Sequence, residues 1–148
     1  MDEEQRHAPV EASSTVEVGA SPGVVWNVLA DIDGWPDWNP AIREVSVDGD
    51  IEVGTHFRWA TGPGTVTSHL TLVEAPAAIA WSGSFMTIIH DQAWTVETAP
   101  TGSIVTVRTA LSGPLARLFA RRLAKGQQAA LDAWAGLLRL EAEARRQG

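Results

Sequence analysis

Apolar side chains recur at helical spacing along the last part of the chain, from Pro114 to Arg146. This stretch follows Ser112 and Gly113 and begins with a proline, whose fixed φ and missing N–H suit the first position of a helix. The pattern predicts one amphipathic helix, about 45 Å long at 1.5 Å per residue. Its apolar side consists of Ala116, Phe119, Ala120, Leu123, Ala130, Leu131, Trp134, Leu137 and Leu138.

Upstream of this helix, apolar and polar residues alternate with the period of a half-buried β-strand, and Gly or Pro turns separate seven such segments. Only these strands can cover the apolar face of so long a helix. We therefore predict an α+β fold in which a seven-stranded curved antiparallel sheet wraps around a long C-terminal helix. The predicted strands are Val10–Val18, Ile42–Val47, Thr55–Ala60, Thr65–Val73, a strand that starts at Ala75-Pro76 and contains Ile79, Trp81 and Gly83, Ile88–Thr98, and Val105–Leu111.

Two short helical segments are predicted between the first and second strands. Ser21 is a capping residue and Pro22 suits the first helical position, and the apolar stripe that follows ends near Gly34. Two prolines and two tryptophans then occur within six residues, which predicts a rigid turn or a single helical turn. Its rings, Trp35 and Trp38, are interpreted either as a lid over a cavity or as a plug that holds the turn on the sheet.

Composition restricts the class of protein. With 148 residues and no cysteine, the chain suits one domain without disulfides or thiolate metal sites. We expect residues 1–9 to be a disordered tail and residues 10–148 to form that single domain. The N-terminus has no apolar segment, and no apolar run approaches the roughly 18 residues of a membrane span. We therefore expect a cytoplasmic protein with no integral membrane segment.

The charge distribution argues against a nucleic-acid partner. The net charge is −7, whereas contacts to phosphates need a basic face. Arg117, Arg121, Arg122 and Lys125 do form a local basic cluster, which we interpret as the solvated face of the terminal helix. The seven tryptophans suit a core and a ligand pocket equally well, so composition does not separate these two interpretations.

Four polar residues fall on faces that are otherwise apolar. His90 and Gln92 share a face with Trp94, Ser68 lies between two apolar neighbours, and Gln127 lies on the inner stripe of the helix. Burial of such a group without a partner costs about 1 to 3 kcal/mol. These residues are therefore predicted to meet at one polar spot in an apolar cavity, or else to satisfy one another or to lie at the solvated edge of the sheet.

The order of elements and several short motifs resemble the SRPBCC superfamily, the START and birch-pollen-allergen-like helix-grip proteins, and within it the polyketide cyclase/dehydrase type. The resemblance covers about residues 10 to 146. The motifs are Ala20-Ser21-Pro22, Val25-Trp26, Leu29-Ala30-Asp31, Trp35-Pro36, Trp38-Asn39-Pro40, Gly54 with Phe57-Arg58-Trp59, Glu74-Ala75-Pro76, Ile79-Ala80-Trp81, Trp94-Thr95-Val96-Glu97 and Ser112-Gly113.

The resemblance implies a helix-grip fold with a hydrophobic ligand cavity between the sheet and the terminal helix. Our first hypothesis is that a small hydrophobic molecule, of polyketide, isoprenoid or fatty acyl type, binds there without covalent chemistry. The candidate ligand-binding residues are Trp35, Trp59, Ser68, Trp81, His90, Gln92, Trp94, Leu123, Gln127, Ala130 and Leu131.

Two alternatives stay open, because one scaffold hosts many functions. The chain is an aromatase/cyclase or dehydratase if His90 acts as a general acid and base, with Gln92 or Gln127 holding an enolate oxygen. It is a protein-interaction module if the cavity is filled. No metal-ligand spacing and no nucleotide-binding or nucleophile motif is present, so we expect no metal and no cofactor. The sequence leaves open whether the protein is a monomer or a homodimer.

Overall fold

A computed structural model of the protein describes residues 9–147. The predicted tail, residues 1–9, lies outside this range except for Pro9. Within the described range the chain forms one seven-stranded antiparallel sheet and four α-helices, with a 3₁₀ turn at Ile32–Gly34. The strands are β1 (Val10–Val18), β2 (Ile42–Val47), β3 (His56–Thr61), β4 (Gly64–Glu74), β5 (Ala78–Phe85), β6 (Ile88–Ala99) and β7 (Gly102–Ser112), and the helices are α1 (Pro22–Ala30), α2 (Trp35–Trp38), α3 (Pro114–Leu118) and α4 (Ala120–Gln147).

The predicted fold class is confirmed. The strand order is β1-β7-β6-β5-β4-β3-β2, so β2 to β7 follow one another as neighbours and β1 joins the far side of β7. Register shifts between Ile42 and Glu44 and between Leu70 and Leu72 interrupt the ladders. Such bulges bend a sheet and increase its twist. They help the sheet to curve around α4.

The segment between β1 and β2 begins as its capping pattern predicts. The Ser21 hydroxyl accepts a hydrogen bond from the Val24 N–H at 3.4 Å, and Pro22 occupies the first position of α1. Val25, Val28 and Leu29 of this helix are buried in the main core. The Trp-Pro-Asp-Trp sequence then forms the single helical turn α2.

The terminal helix is interrupted, which corrects the prediction of one continuous helix from Pro114. Phe119 has φ −109° and ψ 27°, outside the helical region, and separates α3 from the 28-residue α4. Ala116 of α3 packs against Val10 and Leu111, whereas α4 continues over the inner face of the sheet. The first turns of α4 join the same small cluster through Ala120 and Leu123, and its C-terminal part lies in the main core.

The main core lies between the inner face of the sheet and the C-terminal part of α4. Leu131, Trp134, Leu138 and Ala142 recur at helical spacing, and all four are buried against inward-facing side chains of the strands. The far end of α4 is held by Glu143, which accepts a hydrogen bond from the Gly19 N–H at 2.8 Å. In the described range, no helix combines the length and the apolar character that a membrane span requires.

Candidate functional site

The inner face of β6 presents the polar groups that the alternation predicts. His90, Gln92, Trp94 and Val96 are buried, while Asp91, between the first two, is exposed. The exposed fraction is 7% for His90 and 3% for Gln92. Because alternate residues of a strand point to opposite faces, the pattern places His90 and Gln92 together toward α4.

Cross-strand register brings further polar groups beside them. Ser68 of β4 pairs with Gly83 of β5, which in turn pairs with His90, so a residue without a side chain separates the hydroxyl from the imidazole. Trp59 donates a hydrogen bond from its Nε1 to the Ser68 Oγ at 3.2 Å, and its ring lies 5.7 Å from that of His90. The structure therefore groups Ser68 and His90, two of the four polar residues that were expected to meet, and adds Trp59 to them.

His90 has an altered acid–base property. Burial lowers the pKa of His90 from 6.5 to about 4, and the carboxylate of the neighbouring Asp91 opposes part of this shift. Desolvation penalises the charged imidazolium, so the ring is neutral at pH 7. A neutral imidazole has one nitrogen that accepts a proton or a hydrogen bond and one that donates.

Tryptophan rings occupy the space between the sheet and α4. The ring centroid of Trp35 lies 5.1 Å from that of Trp81 and 5.3 Å from that of Trp134. The ring centroid of Trp134 also lies 5.5 Å from that of Trp94 and 5.7 Å from that of Trp59. Trp35 is fully buried, and its Nε1 donates to the Leu29 carbonyl at 3.1 Å. In this arrangement Trp35 fills the centre of the core as a plug.

Trp134 was not among the ligand-binding candidates predicted from the sequence, although this residue touches four of the other rings. Its position on the apolar stripe of α4 was the available signal. That stripe indicates which residues are inward but not which of them meets the aromatic residues of the sheet.

Several buried donors on this inner face lack a partner. Gln92 and Trp81 are directly paired on β6 and β5, and neither the Gln92 Nε2 nor the Trp81 Nε1 makes a hydrogen bond among the described residues. Such groups are uncommon in folded proteins, and each costs roughly 1 to 3 kcal/mol. An acceptor atom from outside the chain would satisfy them. Among residues 9–147, the buried side-chain nitrogens without a partner are Nδ1 of His90, Nε2 of Gln92, and Nε1 of Trp38, Trp81, Trp94 and Trp134.

The helix side of the predicted site is less regular. Leu131 is buried in the main core and Gln127 is half-buried, but Leu123 packs in a separate small cluster with Val10. Ala130 is exposed, which corrects its predicted inward position. Adjacent helical positions are about 100° apart, so Ala130 lies at the margin of the inner face, which runs through Leu131, Trp134 and Leu138.

The grooves of the protein lie mainly outside the space between the sheet and α4. A groove of about 600 Å³ is lined mostly by outward-facing residues of the sheet, such as Glu11, Asp91 and Arg108, and its lining also includes Trp81 and Gln92. Two further grooves, of about 530 and 410 Å³, lie beside Gly19 and Pro114. Within residues 9–147, neither Ser68 nor His90 lines any of these three grooves. A ligand between the sheet and α4 must therefore move the tryptophan rings apart.

Metal-binding side chains do not converge in the part of the chain that the structure describes. No three His, Cys, Asp or Glu residues there lie close enough to hold a metal ion. The polar groups of the inner face are instead amide, indole, imidazole and hydroxyl groups, which are hydrogen-bonding partners for oxygen atoms.

Comparison with known proteins identifies the family. The family model described as "Polyketide cyclase / dehydrase and lipid transport" matches residues 9–145, nearly the whole chain. The chain belongs to this polyketide cyclase/dehydrase and lipid transport family. A comparison with curated proteins gave no significant match.

Solved structures share the fold of this family member at low sequence identity. The di-domain aromatase/cyclase StfQ of the steffimycin pathway is 19% identical with a TM-score of 0.79, and the match covers 99% of this chain and 54% of that one. This chain thus spans about half of the di-domain protein. The Zhui aromatase/cyclase from Streptomyces sp. R1128 is 21% identical (TM-score 0.73, 91% and 94% covered), and a START superfamily protein from Mycobacterium smegmatis is 18% identical (TM-score 0.76, 93% and 97% covered). At these identities the likeness shows the fold alone.

Proposed function

We propose that this protein binds a small, mainly apolar molecule that carries oxygen acceptors, between the sheet and α4. The observation that carries the proposal is the pair of buried donors without partners, Gln92 Nε2 and Trp81 Nε1, on directly paired residues. An apolar cavity without these donors would show no preference for a ligand that carries an oxygen acceptor. A carbonyl or hydroxyl oxygen placed between these donors removes the free-energy cost of leaving them unpaired.

The apolar part of the ligand packs against indole rings. Trp35 and Trp134 fill the centre of the site in the unliganded arrangement, so binding separates them and exchanges ring–ring contacts for ring–ligand contacts. Compounds of polyketide, isoprenoid or fatty acyl type combine an apolar body with few oxygens and fit this requirement. The lipid-transport part of the family description supports the same class of ligand.

Tryptophan fluorescence tests the proposal, because the ligand must contact the rings it displaces. The purified protein is titrated with a panel of polyketide, isoprenoid and fatty acyl compounds, and native mass spectrometry with organic extraction identifies any compound that co-purifies. We expect Gln92→Leu to weaken binding of a carbonyl-containing ligand at least about tenfold. The same variant should not lose stability, since it removes an unpaired buried donor. The control Gln128→Leu removes an amide that instead donates to the Ser13 carbonyl, and it should leave affinity unchanged.

An empty protein whose fluorescence does not respond to any member of the panel would contradict the proposal. That result would favour the interaction-module alternative, which agrees with the tryptophan-filled interior. Gln127→Leu provides a third variant. Its effect on affinity reports whether the half-buried amide on α4 contributes to the same site.

An aromatase/cyclase or dehydratase activity is the second candidate, and the buried His90 favours it, because its Nδ1 has no hydrogen-bond partner among the described residues. Burial lowers the pKa of His90 to about 4, so the ring is neutral at pH 7, and the imidazolium that it forms in the reaction is a strong acid that gives up its proton readily. In this reaction His90 removes a proton α to a ligand carbonyl, and Gln92 donates a hydrogen bond to the enolate oxygen that forms. The imidazolium then returns its proton to the departing hydroxyl, which leaves as water.

Separate measurement of binding and turnover distinguishes the two functions. If His90 is the base, His90→Gln abolishes turnover of a poly-β-ketone substrate but changes its affinity by less than about threefold. If the protein only binds, the wild type shows no turnover above the rate in buffer. Aromatic products are followed by absorbance.

A further inference from the structure

One corner of the protein exposes large apolar side chains next to cations. Met86 at the turn between β5 and β6 is 75% exposed, and Leu118 and Phe119 at the break between α3 and α4 are 72% and 46% exposed. Single exposed apolar side chains are common, but several on one surface mark an interaction site. We call this surface the basic–apolar corner; it consists of Met86, Leu118, Phe119, Arg117, Arg121, Arg122 and Lys125.

Backbone contacts hold the two parts of the corner together. Gly113 has φ 107° and lies so close to the Thr87 carbonyl that a side chain at this position would collide with it. The start of α3 is thereby packed onto the turn that carries Met86. Ile88 packs against the small cluster that contains Ala116 of α3. The exposed residues on both sides of this contact therefore project from the same end of the molecule.

The charge around the corner is opposite to that of the protein as a whole. The chain carries a net charge of −7, yet residues 98–131 contain no Asp or Glu and include Arg108 together with the four cations of the corner. Within the described residues, ion pairs involve Arg58, Arg139 and Arg145 but none of those four cations. The corner is a local positive surface on an acidic protein.

A solvated helix face explains the four cations but not the apolar side chains between them. Leu118 and Phe119 follow Arg117 directly and precede Arg121, so apolar and basic groups alternate on one protruding bend. Apolar side chains that enter the acyl boundary, flanked by cations at the level of the phosphates, are the pattern of interfacial membrane binding. An acidic protein partner would instead favour an apolar groove, and Met86, Leu118 and Phe119 do not line the groove beside Pro114.

We propose that the basic–apolar corner docks on the surface of an anionic lipid bilayer. Met86, Leu118 and Phe119 insert among the lipid chains, while Arg121, Arg122 and the neighbouring cations contact lipid phosphates. The net negative charge repels the rest of the molecule from the same surface. Docking is therefore oriented, with the turn between β5 and β6 and the α3–α4 break toward the lipid. This proposal stands on the exposed corner and does not depend on a ligand in the interior.

Vesicle co-sedimentation of the full chain tests the docking. We expect binding to vesicles of phosphatidylcholine mixed with phosphatidylglycerol, weaker binding as salt is raised, and little binding to phosphatidylcholine alone. Arg121→Gln should lower the partition coefficient about fivefold. Arg108→Gln removes one positive charge from the outer face of the sheet and should change the coefficient by less than about twofold.

A second pair of variants tests the apolar contribution. The double substitution Met86→Ser and Leu118→Ser should weaken binding at least about tenfold. The matched double substitution Val53→Ser and Leu140→Ser changes side chains that are each 63% exposed but lie outside the corner, and it should bind like the wild type. All four positions are exposed, so thermal unfolding should show little change in any variant.

Three outcomes would overturn the proposal. The first is an absence of binding to anionic vesicles at low salt, and the second is an equal loss in the corner variants and their controls. The third concerns Asp2, Glu3 and Glu4, the acidic residues at the start of the chain. If only the variant D2N/E3Q/E4Q bound, the chain's own terminus and not a bilayer would be the occupant of the corner.

Discussion

The two terminal helices cross two apolar clusters that differ in size and in chemistry. Toward its C-terminus α4 packs Trp134 and Leu138 into a large core with tryptophans from the sheet and from α2. Toward the N-terminus of α4, the half-buried Leu123 packs against a small cluster whose only buried residues in the described range are Val10, Leu111 and Ala116. The first region has the contact area that stabilises a domain. The second has little, and it adjoins the exposed corner.

This difference in packing predicts a difference in local stability between the two regions. A domain's stability comes largely from its best-packed region, whereas regions with few buried contacts open at lower free energy. The aromatic core fixes α4 on the sheet, with the Glu143 contact to Gly19 at its far end. The small cluster beside the α3–α4 break is therefore expected to open at a lower free energy than the aromatic core.

The largest expected change in stability comes from a substitution in the aromatic core, and a matched substitution in the small cluster should cost less. Trp35→Ala removes the central ring of the aromatic core and should lower the free energy of unfolding by about 3–5 kcal/mol. Leu123→Ala removes a half-buried side chain of the small cluster and should cost about 1–2 kcal/mol. Urea denaturation measures both. Trp35→Phe keeps an aromatic ring and serves if the alanine variant does not fold, and equal losses at the two sites would contradict the comparison.

The next effect concerns the buried imidazole at the edge of the aromatic core. The pKa of His90 is about 4 in the folded protein and near 6.5 in the unfolded chain. Between these values the unfolded state binds the extra proton, so stability falls as pH is lowered from about 6.5 to about 4. The loss from this group is about 3 kcal/mol.

Urea denaturation at several pH values measures this dependence of stability on pH. A matched pair of variants shows whether His90 causes it. His90→Gln should remove this part of the acid destabilisation. His69→Gln, at an exposed position on the outer face of β4, should retain it. If both variants show the same pH dependence as the wild type, His90 is not the group responsible.

A smaller effect tests the polar contact inside the core. Ser68→Ala leaves the buried Trp59 Nε1 without an acceptor and should lower stability by about 1–3 kcal/mol. Ser84→Ala, on the exposed face of β5, should stay within about 0.5 kcal/mol of the wild type. Thermal unfolding provides the measurement. A neutral Ser68→Ala would show that the indole finds another partner.

The smallest expected change in stability comes from a glycine in the exposed part of α4, between the two clusters. A Cβ added at Gly126 meets no other atom within 4 Å, so Gly126→Ala should stabilise the protein by about 0.5–1 kcal/mol through helix propensity. Gly83→Ala is the contrasting change, because a Cβ there would collide with the Ser68 hydroxyl and should destabilise. A loss of stability in Gly126→Ala would mean that this turn of α4 is not helical in solution.

Much of the candidate site follows from local sequence patterns. Period-two alternation placed His90 and Gln92 on the buried face of β6, and the same rule placed Ser68 inward on β4. The Trp35–Trp38 turn followed from its two prolines. These predictions needed only the backbone preferences of neighbouring residues and the apolar character of alternate positions.

Predictions along the terminal helix failed where packing partners decide the outcome. Ala130 fits the helical stripe in sequence but is exposed, and Phe119 interrupts the helix although its local sequence does not forbid a helix. Whether a helical position is buried depends on where the sheet ends beneath it. That information belongs to the partner element and not to the helix.

The amino-acid sequence by itself determined the order of the elements, the strand faces and the three polar positions inside the sheet, because each depends on residues close together in the chain. Only the tertiary structure decided that Trp134 meets four other rings, that the donors of the cross-strand neighbours Gln92 and Trp81 are buried without partners among the described residues, and that the start of α3 packs onto the turn that carries Met86. These features join residues far apart in sequence. They arise from the register of the sheet and the docking of the helix, and both of these depend on the free energy of the whole molecule and not on any single segment.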